Sequence, residues 1–188
     1  MAHRVCPWWL GYFLAHPWRK RYQHPIEILK PHIKPGMIVT DIGSGMGFFS
    51  IEMARMVGDE GRVICVDLQP RMLNSLVKRA RKAGVNNRIE ERLCSETTLG
   101  LDDLKESVDF VLTFAVAHEV PDQKQLFSEL FSILKPGGTL LLAEPTGHIP
   151  EAEFQVTLEA ACESGLIKIS EPEIRKSHTA VLKKELQG

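Results

Sequence analysis

A glycine-rich turn carries the clearest chemical signal in this chain. The stretch Val39–Phe48 places an acidic residue, Asp41, at the end of an apolar run, followed by glycines at every second position, Gly43, Gly45 and Gly47. Glycine adopts positive φ and lacks a Cβ, so this spacing suits a tight strand-to-helix turn in which the backbone approaches a ligand closely. The helix predicted after the turn would direct its first unpaired N–H groups at that ligand. The turn is therefore predicted to bind a nucleotide-type cofactor.

The residues around the turn discriminate between two such cofactors. The dinucleotide fingerprint G-x-G-x-x-G needs a glycine where this chain has Phe48. Asp67 ends the next apolar run, twenty residues after Gly47, where a carboxylate accepts hydrogen bonds from the ribose hydroxyls of either NAD or S-adenosylmethionine. Asp41 would repel a pyrophosphate but helps to hold a cationic amino-acid group. Together these residues favour S-adenosylmethionine.

Alternating strands and helices are predicted to position these residues. The predicted strands are Met37–Ile42, Arg62–Leu68, Ile89–Cys94, Val108–Ala115, Thr139–Ala143, Ile167–Ser170 and His178–Lys183. The predicted helices are Pro25–Leu29, Phe48–Met56, one from Pro70 to a cap at Gly84, one from Pro121 to Leu134, and Glu151–Cys162. This alternation predicts an α/β fold with a doubly wound sheet and helices on both faces. Ligands of such sheets bind beyond the carboxyl ends of the strands, where the glycine turn lies.

Length, charge and cysteine spacing favour a single domain and give little reason to expect nucleic-acid or metal binding. A chain of 188 residues with 44% hydrophobic content is large enough for one domain with a core, and a net charge of −1 gives no reason to expect nucleic acid as the main partner. The 4 cysteines show neither CxxC pairing nor zinc-ligand spacing, which favours a reducing, cytoplasmic location. Metal binding is disfavoured by the irregular spacing of the N-terminal candidates His3, Cys6, His16 and His24.

The first 24 residues are predicted to be separate from the domain that occupies residues 25–188. The segment Trp8–Tyr22 is aromatic and ends in the basic run Arg19–Arg21, but Pro17 interrupts its apolar part before it reaches membrane-spanning length. Three interpretations remain open. The segment packs over a sheet edge, it forms a lid over the cofactor and acceptor pocket, or it makes peripheral contact with a membrane surface.

From about residue 25 to its end, the chain resembles the class I S-adenosylmethionine-dependent methyltransferases. Val39–Gly47 resembles the first motif of that family, and Val63–Leu68 resembles the second. Asp109–Asp122 resembles the fourth-strand region that commonly reads LHHVPD, and Leu134–Leu140 resembles the turn into the fifth strand. The resemblance implies a Rossmann-like methyltransferase fold, with a mostly parallel seven-stranded sheet that includes an antiparallel member near the end of the chain.

The resemblance also implies which residues contact the cofactor. The glycine turn would approach the methionine part, Asp67 would hold the ribose, and Leu68 would cover the adenine. The family often has Gly-Asp-Ala after the third strand, whereas this chain has Cys94-Ser95-Glu96, so Ser95 or Glu96 is expected to replace that adenine contact. The predicted cofactor-binding residues are Asp41, Gly43, Ser44, Gly45, Gly47, Asp67, Leu68, Ser95, Glu96 and Phe114.

His118 is predicted to face the methyl acceptor, because it lies just past the fourth predicted strand. Histidine titrates in the range that suits a general base. A structural role for His118, in which it packs against Glu119 or a loop, is the alternative. Glu119 is interpreted as a charge near a helix rather than as a base. Methyl transfer from a sulfonium needs alignment and exclusion of water more than a catalytic residue, so none is assigned.

The predicted function is S-adenosylmethionine-dependent methyl transfer to a small molecule, including a quinone- or lipid-like one. The motif that methylates exocyclic amines of nucleic-acid bases is missing, since the fourth strand ends in Thr113–Val116, so no nucleic-acid partner is expected. Two alternatives are a non-catalytic S-adenosylmethionine-binding protein and an NAD(P)-dependent oxidoreductase, which Phe48 disfavours. The sequence does not predict an oligomeric state.

Overall fold

The computed structural model of the protein describes residues 23–185, which form two compact units, 23–94 and 95–185. The first unit alternates helix and strand. Its elements are α1 (Pro25–Leu29), β1 (Ile38–Ile42), α2 (Ser50–Val57), β2 (Arg62–Asp67), α3 (Pro70–Ala83) and β3 (Ile89–Leu93). β2 pairs in parallel with β1 on one side and with β3 on the other, so the carboxyl ends of these three strands lie at one edge.

The second unit contains four strands and two helices. Its elements are β4 (Val108–Phe114), α4 (Gln123–Ile133), β5 (Leu134–Pro145), α5 (Glu151–Glu163), β6 (Leu166–Ser170) and β7 (Ser177–Lys184). β4 and β5 are parallel, whereas β7 runs antiparallel to both β5 and β6. Within residues 23–185 the strands form a seven-stranded mixed sheet in the order β3-β2-β1-β4-β5-β7-β6. This order confirms the predicted fold class and the antiparallel member near the end of the chain.

Burial explains why these segments adopt strands and helices. Residues 63–66 of β2 and 140–143 of β5 are fully buried, as continuous apolar strands covered on two faces should be. Helix α3 buries Met72, Leu73, Leu76 and Ala80 on one stripe and ends at Gly84, whose φ of 71° is the left-handed cap that glycine favours.

The structure corrects the predicted end of α4 and the predicted start of the fifth strand. Leu134 was expected on the inner face of α4 but is the first residue of β5, with a ψ of 134°. Pro136 disfavours helical backbone at Lys135, the residue before it, so the helix has to end before Lys135, and the pairing of Leu134 with Val108 of β4 starts the strand one residue earlier still. The β4–β5 register then passes from Val108 opposite Leu134 to Phe110 opposite Thr139, so the predicted turn at 135–138 is an irregularity within the strand.

A buried lysine joins the ends of two elements in the second unit. The side chain of Lys184 is 4% exposed, and its ammonium donates to the carbonyl oxygens of Phe131 (3.0 Å) and Leu134 (2.9 Å) at the end of α4. It also pairs with Glu106 at 3.1 Å. A cation at this position suits the carboxyl end of a helix, where carbonyl groups lack partners.

The predicted N-terminal segment 1–24 lies outside the described residues, apart from its last two positions. The separate-domain boundary at residue 24, the lid and the membrane contact therefore stay predictions. No helix within residues 23–185 is both long enough and apolar enough to cross a membrane.

Candidate functional site

The glycine turn after β1 adopts the backbone that its sequence predicts. Gly43, Gly45 and Gly47 have φ angles of 67°, 55° and 80°, all in the left-handed region that favours glycine. The amide of Ser44 donates to the carbonyl of Val66 in β2 (3.0 Å), and the amide of Gly47 donates back to the carbonyl of Ser44 (2.9 Å). The turn is therefore closed by a hydrogen bond of its own and is bound to the neighbouring strand β2 by another.

Asp67 is the anchor of this loop at the end of β2. Its Oδ2 accepts a hydrogen bond from the amide of Gly45 (2.8 Å), and its Oδ1 accepts one from the amide of Gln69 (2.8 Å). Burial raises the pKa of Asp67, and the two amide hydrogen bonds from Gln69 and Gly45 counter part of that rise. Each carboxylate oxygen accepts two hydrogen bonds, so both retain capacity for a ligand hydroxyl. The structure thus brings together two residues that were both predicted to bind the cofactor.

Gly45 and Gly47 of the turn have different surroundings. A Cβ added at Gly45 would have only the carbonyl of Gly43 nearby, at 4.0 Å, so the space beside this residue is open. A Cβ at Gly47 would meet the side chain of Leu76 at 3.0 Å. The absence of a side chain at Gly47 therefore allows close packing against α3. At Gly45 it leaves an open space beside the backbone, which we call the cradle at Gly45.

Ser44 contributes a buried hydroxyl to the same loop. The residue is 6% exposed, and its Oγ has no hydrogen-bond partner within the described part of the chain. A buried hydroxyl without a partner is unfavourable by itself, and its presence calls for an explanation such as a ligand. Together with the cradle at Gly45 and the carboxylate of Asp67, it makes a set of groups that fits a polar, ribose-bearing cofactor.

Asp41 lies inside the protein rather than on the loop surface. It is 3% exposed, and its Oδ2 accepts a hydrogen bond from the hydroxyl of Ser50, the first residue of α2. This bond joins the two ends of the glycine turn. Asp41 also lies opposite Cys65 in the β1–β2 ladder; burial, and next the charge of Asp41, raise the pKa of the Cys65 thiol. The role of Asp41 toward the cofactor stays a prediction.

The other residues predicted to bind the cofactor are less clearly arranged. Leu68 is half-buried after β2, and Phe114 is buried at the end of β4. The hydroxyl of Ser95 accepts hydrogen bonds from the amides of Thr97 (3.3 Å) and Thr98 (3.1 Å), so it closes its own turn. Glu96 is exposed. The contacts of these residues with the cofactor stay predictions, and Ser95 has a structural role besides its predicted contact.

A second group of polar residues follows β4. The chain bends sharply at Ala115, whose φ of 58° is unusual for a residue with a Cβ, and then forms a short 3-10 turn at Ala117–Glu119. This turn lies against Glu144, which is fully buried near the carboxyl end of β5. Oε1 of Glu144 accepts a 2.8 Å hydrogen bond from the amide of Ala117, and Oε2 accepts one from Nδ1 of His118.

The surroundings of His118 determine its titration. Burial acts to lower the pKa of His118, but the hydrogen bond to Glu144 and the charges of Glu144, Glu119 and Glu153 outweigh it, so the pKa is raised. The ring of His148 lies edge-on to that of His118, with centroids 5.2 Å apart. Within residues 23–185 no three His, Cys, Asp or Glu side chains come together in a way that could hold a metal ion.

Glu144 was missed in the sequence analysis. The signal was present, because Glu144 ends the apolar run Leu140–Ala143 just as Asp67 ends the apolar run of β2. An acid at the carboxyl end of a buried parallel strand is a candidate for a functional role wherever it occurs.

Comparisons with known proteins show which proteins this chain is similar to. A family model described as a methyltransferase domain matches residues 33–186. The chain is 34% identical over 116 residues to an arsenite methyltransferase of Halobacterium salinarum, covering 62% of this chain and 29% of that protein. It is 31% identical over 111 residues to a ubiquinone/menaquinone biosynthesis C-methyltransferase of Vibrio campbellii, covering 59% and 42%. The chain thus spans less than half the length of either curated relative.

One solved structure matches nearly the whole chain. It is described as a SAM dependent methyltransferase from Aquifex aeolicus, and it superimposes with a TM-score of 0.85 over 96% of this chain and 100% of that chain. Sequence identity between the two is 24%, so this likeness shows the fold.

Proposed function

Because the chain belongs to the methyltransferase-domain family, we propose that it transfers a methyl group from S-adenosylmethionine to a small-molecule acceptor. Family membership agrees with the resemblance found in the sequence. The activity, the cofactor and the acceptor are proposed for this chain on the strength of its own residues.

The observation that carries the proposal is the link between Gly45 and Asp67 beside the unpartnered hydroxyl of Ser44. Asp67 would accept hydrogen bonds from the ribose hydroxyls, because each of its oxygens has capacity left after the amide bonds. Ser44 would hydrogen-bond the cofactor through its buried Oγ. The cradle at Gly45 would admit the cofactor close to the backbone, which a side chain would prevent.

The bound cofactor supplies a methyl group that is already activated by a sulfonium. The tasks left to the protein are therefore to bind, to orient and to exclude water. Asp41 and Ser50 keep the ends of the glycine turn together, and the Gly45–Asp67 bond holds its middle against β2. This arrangement fixes the turn before a ligand arrives, which lowers the entropy cost of binding.

The acceptor is proposed to be a small molecule of quinone- or lipid-like character. The relative from Vibrio campbellii is named for ubiquinone and menaquinone biosynthesis, which supports this class, whereas the relative from Halobacterium salinarum is named for arsenite. A cytoplasmic location is part of the proposal. It is supported by Cys65 and Cys162, which are free thiols in the described part of the chain.

The proposal is tested with S-adenosylmethionine labelled in its methyl group. The wild-type protein is expected to transfer label to a small molecule in a cell extract, and Asp67→Ala should weaken the transfer when the cofactor concentration is near the wild-type Kd. Asp59→Ala is the matched control, since the Asp59 carboxylate is 76% exposed. Binding of S-adenosylmethionine without transfer of label to any component of an extract would support the non-catalytic alternative instead.

A further inference from the structure

A cavity of about 300 Å³ lies between helices α2 and α3 of the first unit. Residues of both helices and of the glycine turn line it, among them Gly47, Glu52, Arg55, Arg79 and Lys82. Ser44, Gly45 and Asp67, which carry the proposed cofactor site, are not part of its lining. Its volume is at the lower end of the range of small-molecule sites. The cavity is therefore a candidate site for a second ligand.

Arg79 brings a half-buried positive charge to this cavity. Its Nη1 donates a hydrogen bond to the carbonyl oxygen of Met46 in the glycine turn, and its side chain has no other partner within residues 23–185. Burial lowers the pKa of Arg79, because the charged form loses contact with water. A guanidinium carries five N–H donors, so most of those of Arg79 stay available. A half-buried cation without an opposite charge beside it is suited to an anionic ligand.

Lys82 adds a second cation to the same side of α3. It lies three residues after Arg79, a spacing that places two side chains next to each other on a helix. The residue is exposed, and its ammonium has no partner in the described part of the chain. Like charges at this spacing repel each other. An anion bound between Arg79 and Lys82 would replace that repulsion with two attractions.

Glu52, an acidic residue of the cavity wall, has its charge balanced by a neighbour on α2. The guanidinium of Arg55 donates to both carboxylate oxygens of Glu52, at 2.9 and 2.8 Å, and the Glu52 side chain is 6% exposed. Because this carboxylate is already engaged by Arg55, the charges of Arg79 and Lys82 on α3 are left to a ligand.

The helix dipole does not explain the position of Arg79. Cations stabilise the last turn of a helix, where Arg81 and Lys82 lie, but Arg79 precedes that turn. A guanidinium beside an ammonium is instead a combination that binds phosphate groups, since phosphate oxygens accept charge-assisted hydrogen bonds from both. A nucleic-acid strand is disfavoured, because the chain has a net charge of −1 and two cations at one cavity match a single phosphate group rather than a row of them.

We propose that the cavity between α2 and α3 binds the phosphate group of a small molecule through Arg79 and Lys82. The occupant is either inorganic phosphate or a phosphate monoester, which present the same tetrahedral anion. Arg79 keeps its hydrogen bond to Met46 and donates to two phosphate oxygens with its remaining N–H groups, and Lys82 donates to a third oxygen. This site goes beyond the proposed methyl transfer and does not depend on it.

The test is a titration followed by nuclear magnetic resonance at constant ionic strength. The probes are inorganic phosphate and glycerol 3-phosphate, with chloride as the control anion. The amide of Gly47 and the Nε–H of Arg79 report binding, because both residues line the cavity. The variants are Arg79→Met and Lys82→Met, of which the second alters an exposed residue and should not affect folding. Arg81→Met is the matched control, since it removes one positive charge from the same helix at an exposed position outside the lining.

We expect saturable shifts of both signals with phosphate and with glycerol 3-phosphate, and none with chloride. Lys82→Met should weaken binding of the probes by about 3- to 10-fold and Arg79→Met by more than about 10-fold, whereas Arg81→Met should change it by less than about 2-fold. Tighter binding of either probe than of the other supports the site and identifies the source of the phosphate group.

Equal weakening by Lys82→Met and Arg81→Met would overturn the proposal, because it would indicate general attraction to a basic helix. The absence of saturable shifts with both probes would overturn it as well. Displacement of phosphate by S-adenosylmethionine would also contradict it, since the cavity would then be part of the cofactor site. Tighter binding of a uridine octanucleotide than of either probe, weakened equally by Lys82→Met and Arg81→Met, would assign the basic side of α3 to RNA instead.

Discussion

The amide of Gly45 donates a 2.8 Å hydrogen bond to the carboxylate of Asp67, which lies 22 residues further along the chain. This bond joins the middle of the glycine turn to the end of β2. Two residues that sequence reasoning assigned to different parts of a cofactor are therefore parts of one structure. A change at Asp67 should affect both the shape of the turn and the recognition of the ribose.

Substitution of Asp67 should weaken cofactor binding. Asp67→Ala removes the proposed acceptor of ribose hydroxyls and releases the amide of Gly45, so we expect a loss of about 1–3 kcal/mol in S-adenosylmethionine binding, or about 5- to 150-fold in Kd. Isothermal titration calorimetry measures this directly. Asp59→Ala, at an exposed carboxylate, should leave Kd unchanged. Wild-type affinity in Asp67→Ala would show that the ribose assignment is wrong.

Acid should act on stability and on binding in opposite directions through Asp67. Burial raises the pKa of this carboxyl above its ordinary value of 3.8. A group with a raised pKa contributes stability that is fully present below its unfolded pKa and is lost as pH rises through its folded pKa. The difference in unfolding free energy between wild type and Asp67→Asn should therefore shift in favour of wild type as pH falls.

Binding of S-adenosylmethionine should weaken over the same pH range, because the protonated carboxyl accepts fewer hydrogen bonds from hydroxyls. Urea unfolding and calorimetric titration between pH 7 and pH 4 provide both curves. Parallel pH curves for wild type and Asp67→Asn would argue against a buried, ionised Asp67.

Removal of the unpartnered Ser44 hydroxyl should lower the affinity for S-adenosylmethionine without lowering the stability of the free protein. In Ser44→Ala the free protein loses a buried group without a partner, so its unfolding free energy should stay the same or rise by about 1 kcal/mol. S-adenosylmethionine affinity should fall by about 3- to 10-fold, because one hydrogen bond to the ligand is lost. The control is Thr40→Val, since Thr40 Oγ1 is also buried without a partner in the described residues.

Thr40→Val should match the stability effect of Ser44→Ala but leave affinity unaltered. If both variants bind S-adenosylmethionine as the wild type does, Ser44 does not contact the cofactor.

A methyl group at Gly45 should block binding beyond its effect on stability. Gly45→Ala places a Cβ at a φ of 55°, which costs about 1–2 kcal/mol in unfolding free energy. The same Cβ enters the open cradle, so affinity for S-adenosylmethionine should fall by more than 10-fold. Gly84→Ala is the matched control, with a φ of 71° and no atom within 4 Å of the added Cβ. If Gly45→Ala loses as much stability as Gly84→Ala but binds S-adenosylmethionine with wild-type affinity, the cofactor does not bind beside Gly45.

The buried ammonium of Lys184 should be important for folding and not for binding. Lys184→Met leaves the carbonyls of Phe131 and Leu134 without their donor, so we expect unfolding free energy to fall by about 2–3 kcal/mol. Lys183→Met, at a half-buried neighbour, should change it by less than about 0.5 kcal/mol. Equal urea midpoints for the two variants would show that the lysine does not cap α4.

Local patterns in the sequence predicted most of the fold. The apolar runs, the glycine turn and the cap at Gly84 each depend on neighbouring residues, and each is found where it was expected. The end of α4 was placed one residue late, because Pro136 restricts only the backbone of Lys135, whereas Leu134 is extended where it pairs with the distant Val108.

The site was predicted less completely, for a physical reason. The positions of Asp67 and His118 follow from motifs, but hydrogen bonds between residues far apart in sequence do not. Glu144 lies 26 residues from His118, and the unpartnered state of Ser44 is visible only when its neighbours are placed. The hydrogen-bond partners of the site residues therefore came from the structure, because sequence motifs do not contain them.

The most direct test of this account is a calorimetric titration of the protein with S-adenosylmethionine and, separately, with NADH. We predict one-to-one binding of S-adenosylmethionine that Asp67→Ala weakens, and no heat of binding with NADH. Binding of NADH without binding of S-adenosylmethionine would contradict the central claim.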